Sequence, residues 1–213
     1  MRSPTLFCAA SLFLPLALSA PAKAAIILPE NTTDVTLTSA PVLTELGVSV
    51  APTGRAALDT SGAYPVAMFP ITGGVANPDG SLIIRHDGSD LALSAGSNTV
   101  DIGNFVISTK AMTIDGDVVV NGSPYASMTP LFNLAMGSGD FVLTLTSGAA
   151  GALNAVFDTD AFTTAIQIGT AVTNPVISSA VPELSTWIML CMGFGLLGVC
   201  GASRSRSLAA IDG

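Results

Sequence analysis

Short runs rich in β-branched and aromatic residues recur through the middle of the chain, and each has the length of a β-strand. The runs cover residues 42–50, 64–72, 82–86, 91–94, 99–102, 105–109, 112–114, 118–120 and 141–146. Turn-forming residues separate them at 77–80, 87–88, 115–116, 121–122 and 137–139. Strands at this spacing predict an all-β fold, a sandwich-like antiparallel domain over residues 25–180.

One segment of this region has a helical pattern instead. Residues 147–157 are rich in alanine, with Leu153 and Val156 among them, and Ser147 is placed to cap the helix. We therefore expect one short helix in the β domain. Residues 25–41 and 173–181 contain proline, serine and threonine and are interpreted as connectors, the second as a stalk.

The first 24 residues have the pattern of a secretory signal peptide. Arg2 gives a basic start, residues 6–18 are apolar, and Ala22 and Ala24 stand at the two small-residue positions before the cleaved bond. A membrane anchor is the alternative, but the apolar run is shorter than the roughly 20 residues a span needs, and Pro15 interrupts it. We expect a signal helix that is removed after Ala24.

The C-terminal region contains a second apolar segment. Residues 187–202 are 16 residues without a charge. A helix of that length is about 24 Å long, a little short of a hydrocarbon core of about 30 Å. Trp187 suits one membrane interface, while Arg204 and Arg206 favour a cytoplasmic position for the other end and for the tail, residues 207–213. The pattern predicts a transmembrane helix over 187–202.

Residues 181–206 carry a spaced motif, an apolar helix and a basic end in one segment. The motif residues are Val181, Pro182, Glu183, Ser185, Thr186 and Trp187, and the basic stop is Arg204 and Arg206. This segment resembles the PEP-CTERM sorting signal, also known as the ice-binding protein C-terminal motif, although Leu184 replaces the usual second proline. The alternative is an ordinary tail anchor.

The PEP-CTERM resemblance implies a route and a location for the protein. Members of that family are cleaved by exosortase, a membrane protease, and pass to the cell surface or extracellular matrix. The resemblance thus implies a Gram-negative bacterium with an exopolysaccharide matrix. It names exosortase, the secretion machinery, the membrane and exopolysaccharide as partners.

Composition narrows the function of residues 25–180. These residues include thirteen acidic side chains against three basic ones, Arg55, Arg85 and Lys110, and the formal net charge of the whole chain is −8. Nucleic acid is excluded as a partner because the chain has no basic patch. All three cysteines lie in the terminal segments, so no disulfide is expected in the β domain.

The sequence offers few residues for catalysis. His86 is the single histidine, and no GxSxG motif accompanies it. The aspartate pairs at 115/117 and 158/160 lack the remaining ligands of a calcium loop, and zinc lacks its usual Cys and His ligands. We expect no enzyme activity, no catalytic residue, no metal and no cofactor.

A second resemblance belongs to the β domain. The segments 71–74, 85–88, 104–107 and 130–132 are similar to secreted HtaA-type β domains. Members of that family bind haem through a tyrosine with histidine support. The resemblance therefore implies Tyr64, His86 and Tyr125 as candidate ligand residues.

Three functions for the β domain follow. A structural or adhesive matrix protein is favoured by the abundance of Ser and Thr and the lack of catalytic spacing. A haem or small-ligand binder requires His86 and a tyrosine in one pocket. A carbohydrate-acting hydrolase requires two carboxylates about 5–10 Å apart in a cleft.

Overall fold

The structure is a computed structural model that describes residues 24–178. The predicted signal peptide (apart from Ala24), the sorting motif, the helix over 187–202 and the tail all lie outside the described residues. Within residues 24–178, neither helix has the length and apolar character needed to cross a membrane.

The described chain forms thirteen strands and two helices. The elements in the first half are β1 (Ala25–Ile27), β2 (Thr32–Thr36), α1 (Ala40–Glu45), β3 (Ser49–Gly54), β4 (Ala57–Asp59), β5 (Val66–Pro70), β6 (Gly73–Ala76) and β7 (Leu82–Ala95). Those in the second half are β8 (Asn98–Ser108), β9 (Thr113–Val120), β10 (Ser123–Met136), β11 (Phe141–Leu145), α2 (Ser147–Phe157), β12 (Gln167–Thr173) and β13 (Ile177–Ser178). The expected antiparallel β architecture is confirmed, with two helices where the sequence predicted one.

All thirteen strands belong to one curled antiparallel sheet. Its order is β13-β1-β6-β7-β8-β9-β10-β11-β12-β2-β5-β4. One edge of β7 is shared by two partners, because β6 pairs with residues 82–85 and β3 pairs with residues 89–94. The sheet curls far enough for β5 to contact β7 and for β4 to contact β3. The inner face of the sheet therefore surrounds the core.

The pairing of the strands decides which of the predicted turn pairs form turns and which lie within a strand. Asn121 and Gly122 form the expected turn between β9 and β10, with φ values of 49° and 76°, and such left-handed pairs suit the twist of a hairpin. The pairs at 87–88 and 115–116 instead lie inside β7 and β9. The pair at 87–88 falls where the pairing of β7 with β8 shifts register. A β-bulge accommodates the glycine there without ending the strand.

Two expectations for the first fifty residues were wrong. Residues 42–50 were predicted as a strand, but the first four of them belong to α1 and strand β3 begins only at Ser49. The helix has a proline in its first turn, and its Leu43 is buried. Proline suits that position because the first helical N–H groups have no partner within the helix. The predicted connector 25–41 contains β1 and β2, which alternate too briefly to be recognised without their neighbours in the sheet.

Helix α2 has the predicted bounds but a different cap. Thr146, with φ −71° and ψ 161°, precedes the helix, and its Oγ1 accepts a hydrogen bond from the Ala149 N–H at 3.2 Å. The same hydroxyl donates to the Pro130 carbonyl oxygen at 2.8 Å, which attaches the start of the helix to β10. Ser147 is the exposed first residue of the helix.

The cap can be tested by a pair of alanine variants. Thr146→Ala should lower the free energy of unfolding by about 1–2 kcal/mol, since it removes the cap and the bond to β10. Ser147→Ala should change it by no more than about 0.5 kcal/mol, because the side chain is exposed and caps nothing. Urea unfolding followed by circular dichroism measures both, and a larger loss for Ser147→Ala would contradict the assignment.

Candidate functional site

A cavity of about 110 Å³ lies inside the curled sheet, beside α2. Alternate residues of the central strands face it, as Leu91 and Leu93 do on β7, and Ala152 of α2 forms part of its wall. The residues around it have apolar side chains except for Thr33 and His86. The cavity is therefore a nearly carbon-lined space with one polar pair in its wall.

His86 reaches this space because β7 alternates between the two faces of the sheet. Its side chain is 1% exposed, and its Nε2 lies 2.8 Å from Thr33 Oγ1, on the opposite wall of the curl. Thr33 in turn bonds to Thr173 Oγ1 at 2.9 Å, directly across the pairing of β2 with β12. The ring packs edge-on against Phe69 at a centroid distance of 6.3 Å. His86 thus joins β7 to β2 through the core.

The charge state of His86 follows from this burial. Loss of solvent lowers the pKa of its imidazole from 6.5 to about 4, against a smaller opposing effect of the Phe105 carbonyl oxygen, 3.4 Å from Nδ1. The ring is therefore neutral at neutral pH. In that state one nitrogen donates a hydrogen bond and the other accepts one.

A second polar arrangement joins four strands near the bulge in β7. The Asn104 side chain accepts a bond from the Gly88 N–H at 2.8 Å and donates one to Asp117 Oδ2 at 2.9 Å. Its own backbone N–H donates to Asp90 Oδ1 at 3.2 Å, and Asp117 also accepts from the Ser127 hydroxyl at 2.7 Å. Asn104 has a φ of 50°, a conformation that asparagine tolerates better than most residues.

The two carboxylates of this network differ in their environment. Burial raises the pKa of Asp90 above its usual value. Hydrogen bonds from Ser127 and then Asn104 lower the pKa of Asp117. Both carboxylates flank Gly103 in the strand register and hold Asn104 between them. These hydrogen bonds hold together the bulged positions of the neighbouring strands β7, β8, β9 and β10.

The structure separates the three residues proposed for a ligand. Tyr64 is 43% exposed and Tyr125 is 64% exposed, and neither lines the cavity that contains His86. The aspartates at 115 and 117 lie within β9, while Asp158 ends α2 with a φ of 51°. No group of three or more His, Cys, Asp or Glu residues between 24 and 178 is arranged to hold a metal ion.

Sequence reasoning missed Thr33 and Asn104. Thr33 is 53 positions from His86, and their contact depends on how the sheet curls. Asn104 had a local signal, because a Gly-Asn pair interrupts an apolar run and glycine inside a strand often marks a bulge.

The fold and the site define an antiparallel β domain whose curled sheet encloses an apolar cavity. No protein-family model matches the chain, and no curated protein matches it. Among solved structures the chain is similar to the haem-binding protein HtaB from Corynebacterium glutamicum, with 8% sequence identity and a TM-score of 0.44. The match covers 74% of this chain and 98% of that chain.

Proposed function

We propose that this chain is an exported protein of the cell surface or extracellular matrix, with a structural or adhesive β domain that is not an enzyme. Its ends are processed by signal peptidase and by an exosortase. The terminal patterns of residues 1–24 and 181–206 support the route. The arrangement of the two ends of the β domain carries the proposal.

Both ends of the domain leave it at one place. β1 and β13 pair antiparallel, with Ile26 opposite Ser178 and Ile27 opposite Ile177. Ala25 follows the predicted signal cleavage site and is the neighbour of Ile26, whose partner Ser178 is the last described residue before the sorting segment. Such an arrangement suits a domain held by a single stalk, since the rest of its surface faces away from the attachment point.

The polar surface of the domain suits an exposed location. Acidic residues outnumber basic ones thirteen to three between residues 25 and 180, and this excess keeps a protein soluble through mutual repulsion. Lys110 forms an exposed ion pair with Asp79 at 3.0 Å. An exposed pair of this kind contributes little to stability, so the fold depends mainly on its apolar core.

The proposal is tested by the intact mass of the protein recovered from its native host, with membrane and medium fractions compared. We expect a mature form that lacks residues 1–24 and everything after about residue 182. A membrane form that retains Gly213 as its C-terminus, with none of the shorter form in either fraction, would contradict exosortase processing.

A substitution sharpens this test. Leu184→Pro restores the second proline of the family motif and should increase the fraction of shortened protein, whereas Glu183→Ala should decrease it. Glu30→Ala is the matched control, because it removes an exposed acidic side chain far from the motif in sequence. Equal processing of all three variants would contradict recognition of this motif.

A further inference from the structure

The cavity beside α2 has the size and lining of a ligand site. We infer that it binds a small, wholly apolar molecule of about one six-membered ring. This inference concerns the interior of the β domain and is independent of how the termini are processed. It therefore stands or fails separately from the proposed function.

The volume sets the size of the ligand. At about 110 Å³ the cavity is far smaller than the roughly 300–1,000 Å³ of sites for drug-sized ligands or large cofactors. It is comparable to an apolar protein cavity of about 150 Å³ that stays dry and binds benzene. A single ring or a short branched hydrocarbon matches this space.

The hydrogen bonding of the wall sets the polarity of the ligand. Thr33 and His86 are the two polar residues that line the cavity, and they bond to each other at 2.8 Å. Thr33 also bonds to Thr173, and His86 Nδ1 faces the Phe105 carbonyl oxygen. A hydroxyl group on a ligand would thus have to compete with these existing bonds for a partner, and a buried hydroxyl that stays unpaired costs about 1–3 kcal/mol.

The surrounding side chains supply the attraction. Leu91, Leu93, Phe105 and Leu153 are among those that face the cavity, and each loses contacts on the side that faces the empty space. A bound hydrocarbon restores these contacts. It also leaves water on binding, which favours association in proportion to its apolar area.

The test compares benzene with phenol, which has the same ring and one added hydroxyl. Thermal unfolding is measured on the protein isolated from its host, after calorimetric titration has given the Kd of benzene. At about five times that Kd, benzene should raise Tm by roughly 2–4 °C. Phenol at the same concentration should raise it by less.

Two variants of α2 locate the binding. Ala152 lines the cavity, so Ala152→Leu places three further carbon atoms in it and should abolish the Tm shift caused by benzene. Ala155 is an exposed residue of the same helix that does not line the cavity, and Ala155→Leu should keep the full shift. Both variants make the same change of side chain and differ only in whether it enters the cavity.

Three results would overturn the inference. The first is no Tm shift with benzene up to its solubility in water. The second is an equal shift in Ala152→Leu and Ala155→Leu, which would place benzene elsewhere. The third, a phenol shift that equals or exceeds the benzene shift, requires no variant and decides the question even if Ala152→Leu does not fold.

Discussion

Replacing Gly169 with alanine is expected to lower the free energy of unfolding by about 3 kcal/mol, at the upper end of what overpacking costs. Gly169 lies in β12, between β11 and β2. A Cβ atom at this position would collide with the backbone carbonyl group of Thr36 in β2. A backbone atom of a paired strand cannot rotate away as a side chain can, so β2 and β12 would have to separate locally.

The control for this variant is the glycine at position 151. It is an exposed residue within α2, and a Cβ atom there would meet nothing within 4 Å. Gly151→Ala should therefore raise the free energy of unfolding by about 0.5–1 kcal/mol, because alanine favours the helix more than glycine does. Urea unfolding at 25 °C measures both variants. A loss below about 1 kcal/mol for Gly169→Ala would show that β2 and β12 separate easily.

Acid is expected to destabilise the protein through His86. The pKa of this histidine is about 4 in the folded state and 6.5 when unperturbed. Between these values the unfolded chain binds a proton that the folded chain does not, so stability is full above about pH 6.5 and falls as the pH approaches 4. The contribution lost over this window is about 3 kcal/mol.

The His86→Gln variant isolates this effect. Glutamine does not titrate, and its amide can still bond to Thr33. Denaturant unfolding of both proteins at pH 7 and pH 4.5 should show a loss for the wild type that exceeds the loss for His86→Gln by about 2–3 kcal/mol. Carboxylates such as Asp90, whose pKa is raised, are common to both proteins and cancel in this difference. Equal acid sensitivity would contradict a buried neutral histidine.

The local sequence pattern predicts where the strands lie but not where they end. The runs 82–86 and 91–94 are predicted as separate strands because residues 87–88 between them are typical of a turn. The runs 99–102 and 105–109 are likewise predicted as two strands. The structure joins each pair, as β7 and β8. Bulges supported by the Asn104 side chain carry the chain across each interruption. The hydrogen-bond partners of Asn104 lie on neighbouring strands. The local sequence around an interruption therefore does not reveal that the strand continues through it.

The sequence likewise predicts one residue of the candidate site but not its partner. The sequence singled out His86 because it is the one histidine, and the structure confirms neither tyrosine as its neighbour. Thr33 is its partner instead, and the pair forms only when the curl of the sheet brings β2 opposite β7.

The sequence by itself determined the all-β antiparallel character of the chain, the position of α2 and the excess of acidic residues in the β domain. These features depend on residue type and on spacing within about ten residues, which a sequence displays directly. The tertiary structure alone decided the order of the strands, the cavity and the partner of His86. Each of these depends on contacts between residues far apart in the chain, and those contacts exist only once the sheet has curled around its core.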